Sequence, residues 1–541
     1  MEPTPPEPGA YTGAPRELVF ESREELLYLL GEAAELEHSI FCTYLYAAFT
    51  LQAEPGEGLT AAQAPTVAGW KRAINQIALQ EMIHLALANN LLAALGGAPR
   101  LGRHNLPQRS PYAPEIRLTL APFSEQTLRR FLYIERPEGM DISSIAGELD
   151  HDRSAPPVPT GPLVLPAPQA FSSIGELYHG IERGLRGLVD RYGEGRVFVG
   201  SPNAQASTRY FRVPERMPEL IPVTGLASAV QAIQTIVEEG EGARGGWQRA
   251  HFGRFLEILE AYRAMKAADP SFSPARPSVT NPYVRVPRDL LGLATTSGPA
   301  APDDPRGVHL IEDRYTAAIS DLFNACYAAM LQLLYRFFQH TEETDAELSM
   351  LGETTLLMML QIIRPLGELL TRLPVGPHAP GMTAGPSFML TSATPVTPHK
   401  PAAWVILGER LRELAEVCDG LTAGAPELTV VRQRLEACAA SLGPPDVAGR
   451  EPEAGVPARA VDPPAVDDTV PSFARDIRPL FTERDRAAMR WAFDLGEVAS
   501  VRQHADAILE QIAAGRMPCD AAWPAERVAL FHRWVQAGSP D

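Results

Sequence analysis

The stretch "AINQIALQEMIHLALANNLLAALGG", residues 73–97, places a glutamate and a histidine within an apolar pattern of helical period. Residues three, four, seven, eight or eleven positions apart lie on one face of a helix. By this spacing Glu81 shares its face with apolar side chains, namely Trp70, Ile74, Ile77, Ala78, Leu85, Ala88, Leu92 and Leu95. An unpaired buried carboxylate costs several kcal/mol, so Glu81, with His84 beside it, is expected to be neutralised, paired or bound to a cation.

The preceding predicted helix, residues 21–52, repeats this arrangement. Its apolar face comprises Leu26, Leu30, Ala33, Phe41, Tyr44, Ala48 and Leu51. Glu37 lies at the centre of that face, whereas Glu35 falls on the opposite side and is predicted to be a surface residue. A buried network in which Glu37 accepts from Tyr44 or pairs with His84 is one interpretation. A metal site is the other, and it is favoured because two helices each direct a glutamate at the core. Carboxylates with imidazole suit iron or manganese, and helical bundles build such sites from inward Glu and E-x-x-H pairs.

A two-metal site of this kind needs a second half, with another glutamate and another Glu/His pair. Glu176 is a candidate on the helix predicted for residues 173–193. It also has a structural explanation, because Ser173 and Glu176 have the spacing of a capping box. Its helix has an apolar stripe made of Ile174, Leu177, Ile181, Leu185 and Leu188, and Glu176 lies off that stripe.

The helix predicted for residues 225–241 offers another glutamate. Its buried side is defined by Val230, Ile233 and Val237. Glu241 lies closer to that side than Glu238 does, which makes Glu241 the better ligand candidate. His251 is the nearest following imidazole that would complete the set, although a lone histidine is more often structural.

Composition restricts the class of protein. The chain has 541 residues and a formal net charge of −18, which argues against nucleic acid or an anionic membrane as a general partner. Its five cysteines form no C-x-x-C or C-x-x-C-H motif, which excludes zinc ribbons and covalently attached c-type haem. We find no secretory signal at the N-terminus and no continuous apolar run of membrane-spanning length. These features predict a cytoplasmic protein that does not span a membrane.

The pattern of helical and proline-rich segments predicts an all-α protein in five parts. Residues 1–20 are expected to be a disordered or extended tail, and residues 21–270 a metal-binding bundle. Residues 271–442 are expected to add helices packed on the bundle. Residues 443–471 read as a Pro- and Ala-rich linker, and residues 472–541 as a small helical module.

Several motifs occur in an order that resembles a known family. They are "ELEHSIFCTYLYAAFTLQ", "EMIHLALANNLLAALGGAPRL", "FLYIERPE", "SIGELYHGIERGL" and "IVEEGEG…HFGRFLEI". Together they resemble the ferritin-like domain of the iminophenyl-pyruvate dimer synthases of the violacein pathway. The resemblance extends over roughly residues 20–422 through "FNACYAAMLQLL", "IIRPLGELLTRLPVG" and "GMTAGPSF". It implies a ferritin-like four-helix bundle with additional helices and long proline-rich loops.

The resemblance also implies a ligand set and a chemistry. Carried over motif by motif, the metal ligands would be Glu37, Glu81, His84, Glu176, Glu241 and His251. They would hold two irons, or manganese, in a non-haem oxidoreductase that uses dioxygen or peroxide on a small amino-acid- or imine-derived substrate. An electron donor and a homodimer are further expectations. Tyr44, two turns from Glu37, would line the site as a hydrogen-bond donor or redox-active phenol, or would simply pack in the core.

Two alternatives to this function stay open. Related chromopyrrolate synthases are associated with haem, and a noncovalent axial histidine would leave no signature in the sequence. A haem-dependent oxidative coupling enzyme is therefore one alternative. A ferritin-like protein that binds metal without catalysing organic chemistry is the other.

Overall fold

The structure is a computed structural model that describes residues 22–52, 56–109, 117–142, 171, 173–214, 217–242, 246–291, 307–391, 398–443, 470–481, 486, 489, 493–513, 523 and 525–541. The predicted tail at residues 1–20 lies outside these ranges, as does nearly all of the predicted linker at residues 443–471. The chain divides into two compact units, Met1–Val447 and Ala448–Asp541.

The described part of the first unit is built from helices. They are α1 (Arg23–Thr50), α2 (Ala64–Ala94), α3 (Glu125–Ile134), α4 (Ile174–Tyr192), α5 (Glu194–Val197), α6 (Leu226–Gly240), α7 (His251–Ala268), α8 (Arg314–Phe338), α9 (Asp345–Met358), α10 (Arg364–Leu370), α11 (Lys400–Asp419) and α12 (Leu428–Ser441). A π-helical segment, Met359–Ile363, joins α9 to α10. Two pairs of two-residue strands complete the unit: β1 (Gln108–Arg109) antiparallel to β2 (Arg117–Leu118), and β3 (Pro282–Tyr283) parallel to β4 (His309–Leu310). The all-α prediction is confirmed.

Local sequence signals set the ends of the two longest helices. Helix α1 begins after Ser22, whose side chain accepts from the backbone of Glu25 while the Glu25 carboxylate accepts from the backbone of Ser22. This is a capping box, which satisfies two otherwise unpaired backbone donors. Helix α2 ends at Gly96 and Gly97. Gly96 has φ +83°, a conformation that glycine adopts without strain, and Gly97 N donates to Leu92 O at 2.8 Å.

Among the described helices of this unit, α1 and α2 pack against each other most extensively. Helix α4 packs on α1 and α6, α6 packs on α2, and α3 packs on α7, which also touches α2. The faces of α1 and α2 that carry Glu37 and Glu81 are therefore enclosed by helices from several parts of the chain. Both carboxylates are almost completely buried, with 1% and 2% exposure.

The second unit has its own apolar core, which includes Phe481, Phe531 and Trp534. Its described helices are α13 (Val498–Gln503), α14 (Ala505–Ala513) and α15 (Ala525–Gln536). The Trp534 indole donates to Pro540 O at 2.7 Å, which ties the last described residues to this core. Residues 472–541 were predicted to be helical, and their described residues are largely so.

Within the part of the chain that the structure describes, three helical segments are long and apolar enough to cross a membrane when judged by length and composition. They are Ala64–Ala94, Arg314–Phe338 and Asp345–Leu370, and 78%, 61% and 44% of their most apolar windows are buried within the protein. The sequence criterion of a continuous apolar run missed them because polar residues interrupt each one. That no segment spans a membrane stays a prediction.

Candidate metal centre

Five buried side chains form two groups that share one carboxylate. Glu37, Glu81 and His84 form the first group, and Glu81, Glu135 and His251 form the second. Each residue of a group offers one ligand atom, and these atoms lie within 4.8 Å of one another. All five residues are at most 2% exposed. Glu81 belongs to both groups and therefore lies at the centre of the cluster.

The two oxygens of Glu81 face different imidazoles. Glu81 Oε2 lies 2.9 Å from His84 Nδ1, and Glu81 Oε1 lies 2.8 Å from His251 Nδ1. The outer carboxylates are more distant, since Glu37 Oε2 is 4.0 Å from His84 Nδ1 and Glu135 Oε2 is 3.6 Å from His251 Nδ1. Four elements position these side chains: α1 carries Glu37, α2 carries Glu81 and His84, Glu135 is the C-cap residue directly after α3, and α7 begins at His251.

The carboxylates of Glu37 and Glu81 have pKa values shifted in opposite directions. Burial raises the pKa of Glu37 well above its usual range, and the negative charge of Glu81 adds to the shift. Burial acts on Glu81 in the same direction, but the imidazoles of His251 and His84 hold its pKa well below the usual range. For His251 burial favours the neutral ring, yet Glu81 and Glu135 together raise its pKa to about 9. The centre is thus built around an ionised Glu81.

The donor atoms fit a bound cation. Five buried atoms of the cluster have no hydrogen-bond partner among the described residues, namely Glu37 Oε2, His84 Nε2, Glu135 Oε2, His251 Nδ1 and His251 Nε2. Buried polar atoms are normally hydrogen-bonded, so five unpartnered atoms in one cluster indicate a binding site for a further group. Three carboxylates and two imidazoles are a donor set that suits iron or manganese.

Comparison with known proteins agrees with this geometry. Residues 30–260 match the family model described as "Ferritin-like". These residues form a ferritin-like domain. The match covers all five cluster residues, and it confirms the resemblance inferred from the sequence motifs.

Two curated relatives are similar to the chain beyond the ferritin-like domain. It is 28% identical over 431 residues to a dichlorochromopyrrolate synthase of Lentzea aerocolonigenes, an overlap of 73% of this chain and 39% of that protein. It is 27% identical over 391 residues to a 2-imino-3-(indol-3-yl)propanoate dimerase of Chromobacterium violaceum, covering 68% of this chain and 34% of that protein. The chain thus spans well under half the length of either relative, and both relatives are named as enzymes. A solved ferritin-like protein from Caulobacter vibrioides shares 19% identity at a TM-score of 0.35, over 59% of this chain and 88% of that one.

Two tyrosines hold the outer carboxylates of the ferritin-like domain. The Tyr178 hydroxyl, on α4, donates to Glu37 Oε1 at 2.8 Å. The Tyr44 hydroxyl, on α1, donates to Glu135 Oε1. In each case the other carboxylate oxygen is the unpartnered one, so each tyrosine fixes its carboxylate with one oxygen free for a ligand. Tyr44 was predicted to line the site, and the structure places it in contact with a cluster residue. Its catalytic role stays a prediction.

Glu135 is the cluster residue that the sequence reasoning missed. It lies in the motif "FLYIERPE", which contributed to the family resemblance but supplied no ligand candidate. Helix α3 makes the decisive pattern visible, because Leu128, Phe131 and Leu132 are buried and precede Glu135 by seven, four and three residues. The phase argument that singled out Glu37 and Glu81 would have found Glu135 too, once this segment was taken as helical.

Two of the predicted ligands lie outside both groups. Glu241 is buried, but it accepts hydrogen bonds from Gly175 N and Glu138 N and so satisfies the backbone at the start of α4. Burial raises the pKa of Glu241 to about 7. Glu176 is also buried, and its backbone nitrogen donates to Ser173 Oγ, which is the Ser173 half of the predicted capping box. That Glu176 and Glu241 bind metal stays a prediction.

A different glutamate of α6 approaches the cluster. Glu239 Oε2 lies 3.6 Å from His84 Nε2 and accepts from Gln80 at 3.0 Å. Gln80 in turn accepts from Arg254 at 2.7 Å. The side chain of Glu239 is 26% exposed, so this chain of polar contacts leads from His84 towards solvent. Neither Glu238 nor Glu241, the two glutamates weighed from the sequence, occupies this position.

The prediction that Glu35 is a surface residue is wrong. It is 8% exposed, because its carboxylate accepts from His104 N at 2.8 Å and from Arg100 at 3.1 Å. The irregular segment that follows α2 covers this side of α1. Helical phase alone cannot detect such a covering segment.

Proposed function

We propose that the ferritin-like domain is the metal-dependent catalytic domain of an enzyme that oxidises a small amino-acid- or imine-derived molecule. The observation that supports this most directly is the pair of buried carboxylate/imidazole groups joined at Glu81. A carboxylate shared between two groups is the arrangement that a pair of nearby metal ions requires.

The cluster residues would divide into two ligand sets. Glu37 and His84 would hold one ion, Glu135 and His251 would hold the other, and Glu81 would contribute to both. Iron is the proposed metal, with manganese as the ion of closest donor preference. Bound iron would supply the redox chemistry that an oxidation by dioxygen or peroxide needs.

The surrounding residues would keep the centre ordered and dry. Tyr178 and Tyr44 orient the outer carboxylates, as partners of metal ligands commonly do. The Tyr44 ring packs against Phe131 and Phe255, with ring centroids 4.5 and 5.0 Å away. These apolar walls exclude water from the Glu135 side, which strengthens electrostatic interactions and protects an oxidant from side reactions.

The relatives suggest the class of substrate. One is named for acting on 2-imino-3-(indol-3-yl)propanoate, an imine derived from an amino acid, and for dimerising it. We therefore propose a small imine or amino acid as the substrate of this chain. An electron donor would be needed if the oxidant is dioxygen and the substrate does not supply all the electrons.

Metal analysis of protein purified without chelator, with an absorption spectrum of the same sample, tests the proposal. Two irons per chain, no Soret band and oxygen consumption with an imino acid are expected. Glu81→Gln removes the shared charge at nearly constant volume and is expected to abolish iron binding while helical content stays. Glu35→Gln changes a buried glutamate outside the cluster and serves as the control. A Soret band would favour a haem enzyme, and iron without oxygen consumption would favour metal binding alone.

A further inference from the structure

An apolar cavity lies on the opposite side of α2 from the metal centre. Its volume is 370 Å³, and its walls come from α1, α2, α8 and the α9–α10 region. Helix α2 contributes Leu79, Met82 and Ala86 to the cavity, whereas Glu81 and His84 face the cluster. None of the five cluster residues lines the cavity, so the two sites are separate faces of one helix.

The size and lining of the cavity suit a small molecule. Binding pockets for such ligands commonly measure about 300–1,000 Å³ and are lined mainly by apolar side chains. A cavity of about 150 Å³ already accommodates benzene. With 370 Å³, this cavity has room for one or two aromatic rings and a short substituent.

The cavity has a closed inner end and an open mouth. At the inner end lie Phe388 and Tyr327, which are 0% and 1% exposed. The Tyr327 hydroxyl is already engaged, by His38 Nε2 and by Cys42 Sγ at 3.4 Å. The inner end therefore offers ring faces and not a free hydrogen-bonding group, so the apolar part of a ligand belongs there.

The mouth carries positive charge. Arg72, Gln76, Arg364 and Leu360 line the cavity and are exposed, which marks the side open to solvent. The carboxylate of Glu368 forms ion pairs with Arg364, at 3.2 Å, and with Lys71, at 3.1 Å. One carboxylate thus faces two cations, and the exposed Arg72 is a further positively charged residue of the lining. In a chain of net charge −18, a mouth rich in arginine selects an anionic group.

We infer that this cavity binds a small aromatic carboxylate, with its rings at Tyr327 and Phe388 and its acid group between Arg72 and Arg364. The site also accounts for the apolar character of the helices around it. Most of the lining comes from the three described segments that are apolar enough to cross a membrane, namely Ala64–Ala94, Arg314–Phe338 and Asp345–Leu370. The π-helical segment Met359–Ile363 also lies at this wall, and such segments are frequent at functional sites.

Binding can be tested on the full chain with 1-naphthaleneacetate and its neutral analogue 1-naphthaleneethanol, both as competitors of the fluorescent aromatic anion 8-anilinonaphthalene-1-sulfonate. We expect one saturable site per chain and about tenfold tighter competition by the acid. Arg72→Gln combined with Arg364→Gln changes two exposed side chains and should remove the advantage of the acid. Arg186→Gln, at an exposed ion pair on α4, is the matched control.

Filling the cavity is an independent test. Ala86→Trp should reduce binding of both competitors at least tenfold without lowering the melting temperature, whereas Ala227→Trp, at an exposed position of α6, should change neither. Chelation should leave binding intact, because no cluster residue lines the cavity. Equal affinity for acid and alcohol, unchanged binding in Ala86→Trp, or loss of binding on chelation would each overturn the inference. So would burial of the cavity in a dimer, or partition of the protein onto phosphatidylcholine vesicles.

Discussion

Tyr44 on α1 donates its hydroxyl hydrogen to the carboxylate of Glu135 at the end of α3. The two residues are 91 positions apart in the chain, and both are at most 1% exposed. This bond connects a short helix outside the α1–α2 pair to the candidate metal centre. Burial and the charge of Glu81 raise the pKa of Glu135, whereas the nearby imidazole of His251 and the hydrogen bond from Tyr44 act in the opposite direction. Tyr44 thus favours the ionised carboxylate that a metal would need.

Replacing Tyr44 should weaken one half of the centre selectively. Tyr44→Phe removes the donor while it keeps the ring between Phe131 and Phe255. We expect metal affinity at the Glu135 and His251 side to fall about 10- to 100-fold, the usual effect of losing a partner of a metal ligand. Titration of the chelated protein with iron, followed by absorption, measures this loss.

Tyr46→Phe is the matched control for this variant. Tyr46 is equally buried on the same helix, but its hydroxyl donates to Val279 O, away from the cluster. Its iron titration should therefore resemble that of the wild type. If Tyr44→Phe and Tyr46→Phe lose the same amount of affinity, the effect comes from general loosening of α1 and not from Glu135.

A pair of variants distinguishes two possible ligand sets. One is the cluster found in the structure, which includes Glu135, and the other is the set carried over from the family motifs, which includes Glu241. Glu135→Gln should lower the metal content by about one ion per chain, because Glu135 contributes to the second group. Glu241→Gln should keep the metal and destabilise the protein by about 1–3 kcal/mol, since Glu241 accepts from Gly175 N and Glu138 N. Elemental analysis and thermal unfolding measure both quantities. Loss of metal in Glu241→Gln with normal metal in Glu135→Gln would favour the motif-based set.

The long helices could be predicted from the sequence because their signals are local. The apolar pattern within residues 73–97 predicted a helix, and α2 runs over Ala64–Ala94. The apolar stripe and the two terminal glycines are sufficient for that assignment. The apolar stripes of α1 and α2 identified Glu37 and Glu81 as buried, since a long helix contains enough turns to define its inner face.

The second half of the centre could not be assembled in this way. It depends on Glu135, at the end of a ten-residue helix between irregular segments, and on His251 at the first position of α7. Helix ends provide few neighbours from which to read a face, and motif order then favoured Glu176 and Glu241. Which glutamates meet at Glu81 is decided by tertiary packing of α3, and the phase of Glu135 can be read only once that segment is known to be helical.

Removal of metal should lower the stability of the ferritin-like domain. Without a cation the cluster holds three carboxylates and two imidazoles in a buried volume, with five polar atoms unpartnered among the described residues. A ligand at 100 times its Kd stabilises the folded state by about 2.7 kcal/mol. Excess chelator should therefore lower the melting temperature by several degrees, as measured by circular dichroism. Glu81→Gln should show no response to chelator, and an equal decrease in that variant would locate the metal elsewhere.

A buried ion pair in the added helices predicts a defined response to acid. Arg336 on α8 donates to both oxygens of Glu343, at 2.6 Å each, and the two side chains are 1% and 0% exposed. The Trp404 indole and the Thr341 backbone donate to the same carboxylate at 3.0 Å. Although burial opposes ionisation, the donation from Arg336 and Trp404 lowers the pKa of Glu343 from 4.5 to about 2.

Because this folded-state pKa is lower than the unfolded value of 4.5, the pair stabilises the protein above pH 4.5 and loses that contribution as the pH falls towards 2. The shift corresponds to roughly 3 kcal/mol. Glu343→Gln should therefore be less stable than the wild type by about this amount at pH 7, and the difference should shrink towards zero near pH 2. Urea unfolding across this range measures the difference. Glu413→Gln, at the exposed pair with Arg410, should give a difference near zero throughout. A difference for Glu343→Gln that stays constant with pH would show that the variant acts through packing and not through the charge.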